Sequence, residues 1–175
     1  SNEITMAHGD QATLVPFHQK LNELCHEMDD TRLTTMACIS PLPTDHPLLD
    51  VPDVLSYNHY FGWYGGHLED NGSWFDRFHA LHPDLPVGVS EYGCENSLWH
   101  SSHPEPGDYS NEYQMIYHES LIKQLYSRKY LWATHVWNMF DFAADAREEG
   151  GTKGRNNKGL VTFDRKTRKD AFYAY

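Results

Sequence analysis

The chain has 175 residues, 39% hydrophobic and 14% aromatic, with 14 Lys and Arg against 25 Asp and Glu for a formal charge of −11. That length suits one domain with a sizeable core. The acidity, with no basic stripe to displace counterions, argues against nucleic acid and anionic membranes as partners. No apolar run approaches the roughly 20 residues of a membrane span.

Three cysteines, Cys25, Cys38 and Cys94, lack CxxC spacing, which favours reduced, packed thiols over a disulfide framework. No signal-peptide pattern opens the sequence, so a cytoplasmic location is expected. Repeats and low-complexity tracts are absent, and residues 1–175 read as one domain.

The segment TLVPFHQKLNELCHEMDD, from residue 13, places Leu14, Phe17, Leu21, Leu24, Cys25 and Met28 along one helical face. RLTTMACI (32–39) is rich in β-branched residues and reads as a strand, as does DVLSYNHY (53–60) after a Pro-rich loop. GSWFDRFHALHPD predicts a helix capped by Ser73. PVGVSE (86–91) reads as a short buried strand that ends on a carboxylate, followed by an aromatic and a glycine, Tyr92 and Gly93. SNEYQMIYHESLIKQLYSRK predicts a helix with Tyr113, Tyr117, Leu121 and Leu125 on one side. YLWATHVWNMF (130–140) is a further strand; a Gly- and charge-rich loop then leads to GLVTFD and the start of a helix at DAFYAY.

Strands alternating with helices imply an α/β fold with a parallel sheet. Polar and aromatic residues collect just past strand ends, at Asn58–Tyr64, Glu91–Gly93 and Trp137–Asp141. That is the catalytic face of a (β/α)8 TIM-type barrel. Such a barrel takes roughly 250 residues, whereas four or five strands are legible here. The expectation is the second half of a barrel, from the end of strand 4 to the start of helix 8.

SNE at the chain start offers a second rim carboxylate, Glu3, if Ser1 is the tail of a strand. Two rim carboxylates are what glycoside hydrolysis needs: one protonates the leaving oxygen and the other attacks the anomeric carbon or activates water. Among 25 acidic residues such a pair is weak evidence alone.

SNE, SYNHYFGWY, SEYG, THVWNMFDFAAD and GRNNKGLVTFDRKTRKDAFYAY, in this order, resemble the catalytic barrel of glycoside hydrolase family 2, above all its bacterial β-galactosidases. The resemblance implies that Glu3 is the acid/base and Glu91 the nucleophile of a retaining double displacement, with carboxylates about 5 Å apart. Asn2 is suited to hydrogen-bonding the sugar 2-hydroxyl. Tyr60 is suited to orienting the Glu91 carboxylate; the competing reading is a packed core tyrosine. Trp137 is placed to stack on the sugar ring, with plain packing as its competitor; Trp63 and Tyr64 are further aromatic candidates. Asn156 and Lys158 form the N-x-K pattern that β-glucuronidases of the same family use to grip the sugar carboxylate, a task that suits lysine. The alternative is a surface loop with a solvated lysine.

The histidine pairs His79/His82 and His100/His103 lack the HExxH form, and GTKGRNNKG lacks a phosphate-binding pattern. Neither a metal nor a cofactor is expected. Cys94 reads as a packed thiol, and His8 as a rim residue at most. Three functions stay open: a β-galactosidase acting on terminal galactosides or related oligosaccharides, a β-glucuronidase, and a non-catalytic half-barrel. The expected partner of the open barrel face is the missing N-terminal half or a second copy of the chain.

Overall fold

The computed structural model describes residues 1–4, 11–100, 104, 107–150 and 152–175. Helix α1 (Gln11–Met28) precedes strand β1 (Ala37–Ile39), and a 3-10 turn at Pro47–Asp50 leads to β2 (Leu55–Asn58). Then come α2 (Asp70–Leu81), β3 (Val87–Tyr92), α3 (Asn111–Tyr126) and β4 (Leu131–Val136). Two short strands, β5 (Phe142–Ala143) and β6 (Arg155–Asn156), and helix α4 (Asp170–Ala174) complete the order.

Strands β1 to β4 form one sheet in sequence order, every pairing parallel. Residues 1–3 extend it beside β1: Ala37 N–H donates to Ser1 O at 3.0 Å and Glu3 N–H to Ala37 O at 2.9 Å. An all-parallel sheet with helical crossovers is the arrangement expected of one arc of a barrel. Strands β5 and β6 form a separate antiparallel pair.

The core lies between the sheet and helices α2 and α3. Leu55, Tyr57, Val87, Val89 and Tyr92 meet Phe75, Phe78, Tyr113, Tyr117, Leu121 and Leu125, all buried. Each such side chain contributes about 1.5–3 kcal/mol through burial. Ser110 caps α3, its hydroxyl accepting from Tyr113 N–H at 3.0 Å. Ser73 does not cap α2; the helix begins earlier, at Asp70, and the Ser73 hydroxyl turns back to Asp70 O.

The apolar face read on α1 does form, but it is not covered: Phe17, Leu24 and Met28 are exposed. The RLTTMACI strand shortens to Ala37–Ile39; ahead of it Thr34 bonds the Asp53 carboxylate through both N–H and hydroxyl. Cys38 and Cys94 are buried thiols as expected, whereas Cys25 is exposed. His79 stacks on Tyr130, and His82 Nε2 lies 2.7 Å from Thr44 O. His100 pairs with Asp108, while His8 and His103 lie outside the described residues. Among the described residues no helix is long and apolar enough to cross a membrane.

Candidate active site

Glu91 reaches the site through an irregularity in β3. Val87, Val89 and Tyr92 all belong to the helix-packed core, so the two-residue alternation of a strand gains one extra residue between Val89 and Tyr92. The pairing shows the same shift: Tyr57 is opposite Val89, but Asn58 is opposite Glu91. A bulge of this kind re-aims a side chain, and here it turns Glu91 away from the core toward Asn58 and Tyr60. The Tyr60 hydroxyl donates to Glu91 Oε2 at 2.7 Å. Tyr60 is half-buried: it packs against the edge of the core and also lines the cavity.

Glu3 arrives from the other side. Its backbone adopts a left-handed conformation, φ 50°, which costs a non-glycine residue about 1–2 kcal/mol. Asn58 ties the two sides together. Its amide nitrogen donates to Asn2 Oδ1 at 3.0 Å and to Glu3 Oε1 at 2.9 Å, and its oxygen accepts from Ser90 at 2.6 Å. Asn2, Glu3 and Glu91 thus share one buried amide, and Tyr60 joins them through Glu91. The sequence does not single out Asn58; an asparagine at a strand end reads as an ordinary turn signal until its partners are known.

Burial pushes the Glu91 carboxyl above the ordinary carboxylate range, and Glu3 adds to that. The bonds from Tyr60 and Asn58 and the charge of Lys158 pull the other way. Tyr60 is itself pushed up, first by burial and then by the Glu91 charge, so its hydroxyl stays a donor. A cavity of about 700 Å³ is lined by Glu3, Asn58 and Tyr60 of this cluster and by Tyr64, Arg147 and Glu149 among others, while Asn2 and Glu91 lie beside it and not in its lining.

Glycine follows Glu91 and Tyr92 for a steric reason. A Cβ on Gly93 would lie 2.1 Å from the Trp137 carbonyl oxygen, so the loops after β3 and β4 meet at a point that admits no side chain. Trp137 is half-buried at the end of β4, with its ring edge-on to Phe142. The Trp137–Asn138 peptide is cis.

The N-x-K segment is not a solvated surface loop. Asn156 is buried, and its side-chain oxygen accepts the Lys158 N–H at 3.0 Å, shaping the turn. Lys158 is 1% exposed. Its Nζ donates to the Tyr64 hydroxyl at 2.6 Å and lies 3.3 Å from Glu95 Oε1, over the rings of Tyr64 and Tyr60. Tyr64, 57% exposed, is the side chain between this ammonium and the cavity. Trp63 packs against Tyr109 and Tyr113, away from the cavity wall.

Behind the loop, Lys169 Nζ donates to Asp141 Oδ1 at 2.8 Å, Asn157 O at 2.9 Å and Asn96 O at 3.3 Å. Burial pushes the Asp141 carboxyl up and the Lys169 ammonium down, and their pairing opposes both shifts. Among the described residues no group of His, Cys, Asp and Glu is arranged to hold a metal ion.

A β-glucuronidase of Bacteroides fragilis is 40% identical to the chain over 173 residues, 92% of the chain. The relatives are glycoside hydrolases. The FMN-binding β-glucuronidase of Faecalibacterium prausnitzii L2-6 superposes with a TM-score of 0.88 at 60% identity, covering 91% of the chain and 25% of that protein. A candidate β-galactosidase of Bacteroides fragilis superposes equally well, TM-score 0.88, at 29% identity over 98% of the chain and 26% of its own length. The chain spans about a quarter of these relatives, 24% of the Bacteroides fragilis β-glucuronidase. No family model matches the chain. The relatives support the family 2 resemblance and the hydrolase class; they do not single out β-galactosidase, and the two β-glucuronidases named above are more similar to the chain in sequence, at 40% and 60% identity against 29%.

Proposed function

We propose that this chain is the second half of the catalytic barrel of a retaining family 2 glycoside hydrolase, and that the sugar it takes is a terminal β-glucuronide. The remaining strands would come from the rest of the protein and cover the exposed apolar face of α1 and the open edge at β4. Glu91 attacks the anomeric carbon while Glu3 donates its proton to the leaving oxygen; Glu3 then takes a proton from the water that cleaves the glycosyl ester. Asn58 orients Glu3, Tyr60 orients Glu91, Asn2 meets the sugar 2-hydroxyl, and Trp137 supplies a ring for stacking.

The single observation that carries the glucuronide reading is Lys158. Its buried ammonium sits at the Tyr64 hydroxyl, beside the tyrosine that holds Glu91. A cation next to the tyrosine that lines the cavity favours a carboxylate at the sugar C6 over the neutral hydroxymethyl of a hexose. The named β-glucuronidases, at 40% and 60% identity, support the same choice over the galactoside that the sequence blocks favoured. The galactoside remains the second reading, on the strength of the candidate β-galactosidase that matches 98% of the chain.

The test is hydrolysis of nitrophenyl β-glucuronide and β-galactoside by the intact protein. Glucuronide turnover that is abolished in Glu91→Gln, and a glucuronide preference that disappears in Lys158→Met, is the expected result. Galactoside preference insensitive to Lys158 would select the second reading. Silence on both sugars would favour a non-catalytic chain.

A further inference from the structure

Glu95, four residues past Glu91, has no exposed surface and takes no part in the chemistry above. Two cations converge on one of its oxygens. Arg147 Nη2 donates to Glu95 Oε1, and Lys158 Nζ lies 3.3 Å from the same atom. Both cations also reach the Tyr64 hydroxyl, Lys158 at 2.6 Å and Arg147 at 3.1 Å, while Glu149 takes Arg147 at 2.7 Å. The second Glu95 oxygen, Oε2, and the Arg147 Nε–H are buried without a hydrogen-bond partner.

We propose that Glu95 is the positioning residue for uronate recognition: without touching substrate, it fixes the Lys158 ammonium behind Tyr64 and the Arg147 guanidinium at the cavity wall. The inference rests on the glucuronide reading. A lysine side chain 2% exposed requires a paired counter-charge to stay in place. Arg147 beside it would repel it if the shared carboxylate were absent. Arg147 and Glu149 already line the cavity, so the same network sets the charge that a bound uronate meets. The one carboxylate thus performs two tasks: it cancels the repulsion between the cations and keeps Lys158 Nζ at a fixed point beside Tyr60 and Tyr64.

The experiment compares nitrophenyl β-glucuronide with nitrophenyl β-glucoside, which differ only at C6, in the intact protein carrying Glu95→Gln, Lys158→Met or both. The wild-type preference for glucuronide tests the underlying reading, and its absence overturns that reading and this proposal together. Given that preference, Glu95→Gln is expected to raise KM for the glucuronide about tenfold with kcat changed by less than about threefold, leaving the glucoside constants unchanged. In the Lys158→Met background the Glu95→Gln change is expected to raise the glucuronide KM by clearly less than in the wild type, because only the Arg147 pairing is left to lose. Equal losses on both sugars, or full additivity with Lys158→Met, would overturn the positioning role. Glu95→Asp, which keeps the charge and withdraws it by one methylene, gives a smaller glucuronide-specific rise in KM; it decides the matter in the same way if the glutamine variant does not fold.

Discussion

The Asn58 side chain holds Glu3 across the sheet, its amide nitrogen 2.9 Å from Glu3 Oε1. The two residues are 55 positions apart in sequence, and the contact spans β1, which lies between β2 and the N-terminal segment. Because the same nitrogen also donates to Asn2, one amide sets the rotamers of two side chains assigned to the sugar and the leaving group. Glu3 also carries a left-handed backbone, so its placement is determined by main chain and side chain together.

Asn58→Ala should therefore lower kcat by about 10–100-fold, the rate equivalent of one charge-assisted hydrogen bond. The leaving group provides the sharper check. If Asn58 acts through the acid/base, a glycoside whose phenol leaves without protonation should lose little in the glycosylation step. One with a poor leaving group should lose most. Equal losses on both would place Asn58 outside the proton transfer.

Tyr60→Phe removes the 2.7 Å bond to Glu91, one of the interactions that lower the Glu91 carboxyl. Without it the carboxyl rises further. A nucleophile must be ionised, so the acidic limb of the kcat/KM profile should move to higher pH in Tyr60→Phe. A decline in rate with the limb unmoved would assign Tyr60 to packing.

Much of this site is legible in the sequence for a physical reason. Val87 and Val89 announce a buried strand, and a carboxylate, an aromatic and a glycine directly after it have few uses in a core. Gly93 is then required by the Trp137 carbonyl, a contact between two loops that no local pattern contains. The helices follow from their apolar spacing, and α3 carries its own start signal because Ser110 and the Tyr113 N–H it caps are local. What stays hidden is non-local. The bulge that turns Glu91 toward Asn58 is invisible to a two-residue alternation. Glu95 looks like any loop acid until Arg147 and Lys158, 52 and 63 residues away, close on it. On α1, spacing reports which face is apolar and not whether a partner is present to cover it.

Glu91 carries a cost that should be measurable. Its folded-state carboxyl lies above the ordinary range, chiefly because of burial. The unfolded chain therefore ionises it more readily, and the native state loses stability as pH rises from the ordinary carboxylate range through the raised value. Glu91→Gln removes that loss. The variant should be inactive yet unfold at a higher temperature than the wild type near neutral pH, with the difference closing on acidification below the carboxylate range. A variant that is destabilised at neutral pH would mean that the Tyr60 and Asn58 bonds outweigh the burial.

Lys169 presents the opposite case, a buried charge that stabilises by joining segments. It is 1% exposed, and its three bonds tie the loop after β3 at Asn96, the segment after β4 at Asp141 and the N-x-K loop at Asn157. Lys169→Met leaves the Asp141 carboxylate buried without its cation, which should cost about 3–5 kcal/mol. For a domain of this size that is a fall of about 6–20 °C in Tm. Asp141→Asn in the same chain should return part of the loss, because it removes the stranded charge rather than restoring the clamp. The Gly159 N–H also bonds Asp141 Oδ1, at 2.9 Å, and the amide oxygen of the substituted side chain keeps this acceptor when it takes the Oδ1 position. Thermal unfolding of the single and double variants checks both steps. If Lys169→Met unfolds at the wild-type temperature, the three loops are held by something other than this ion pair.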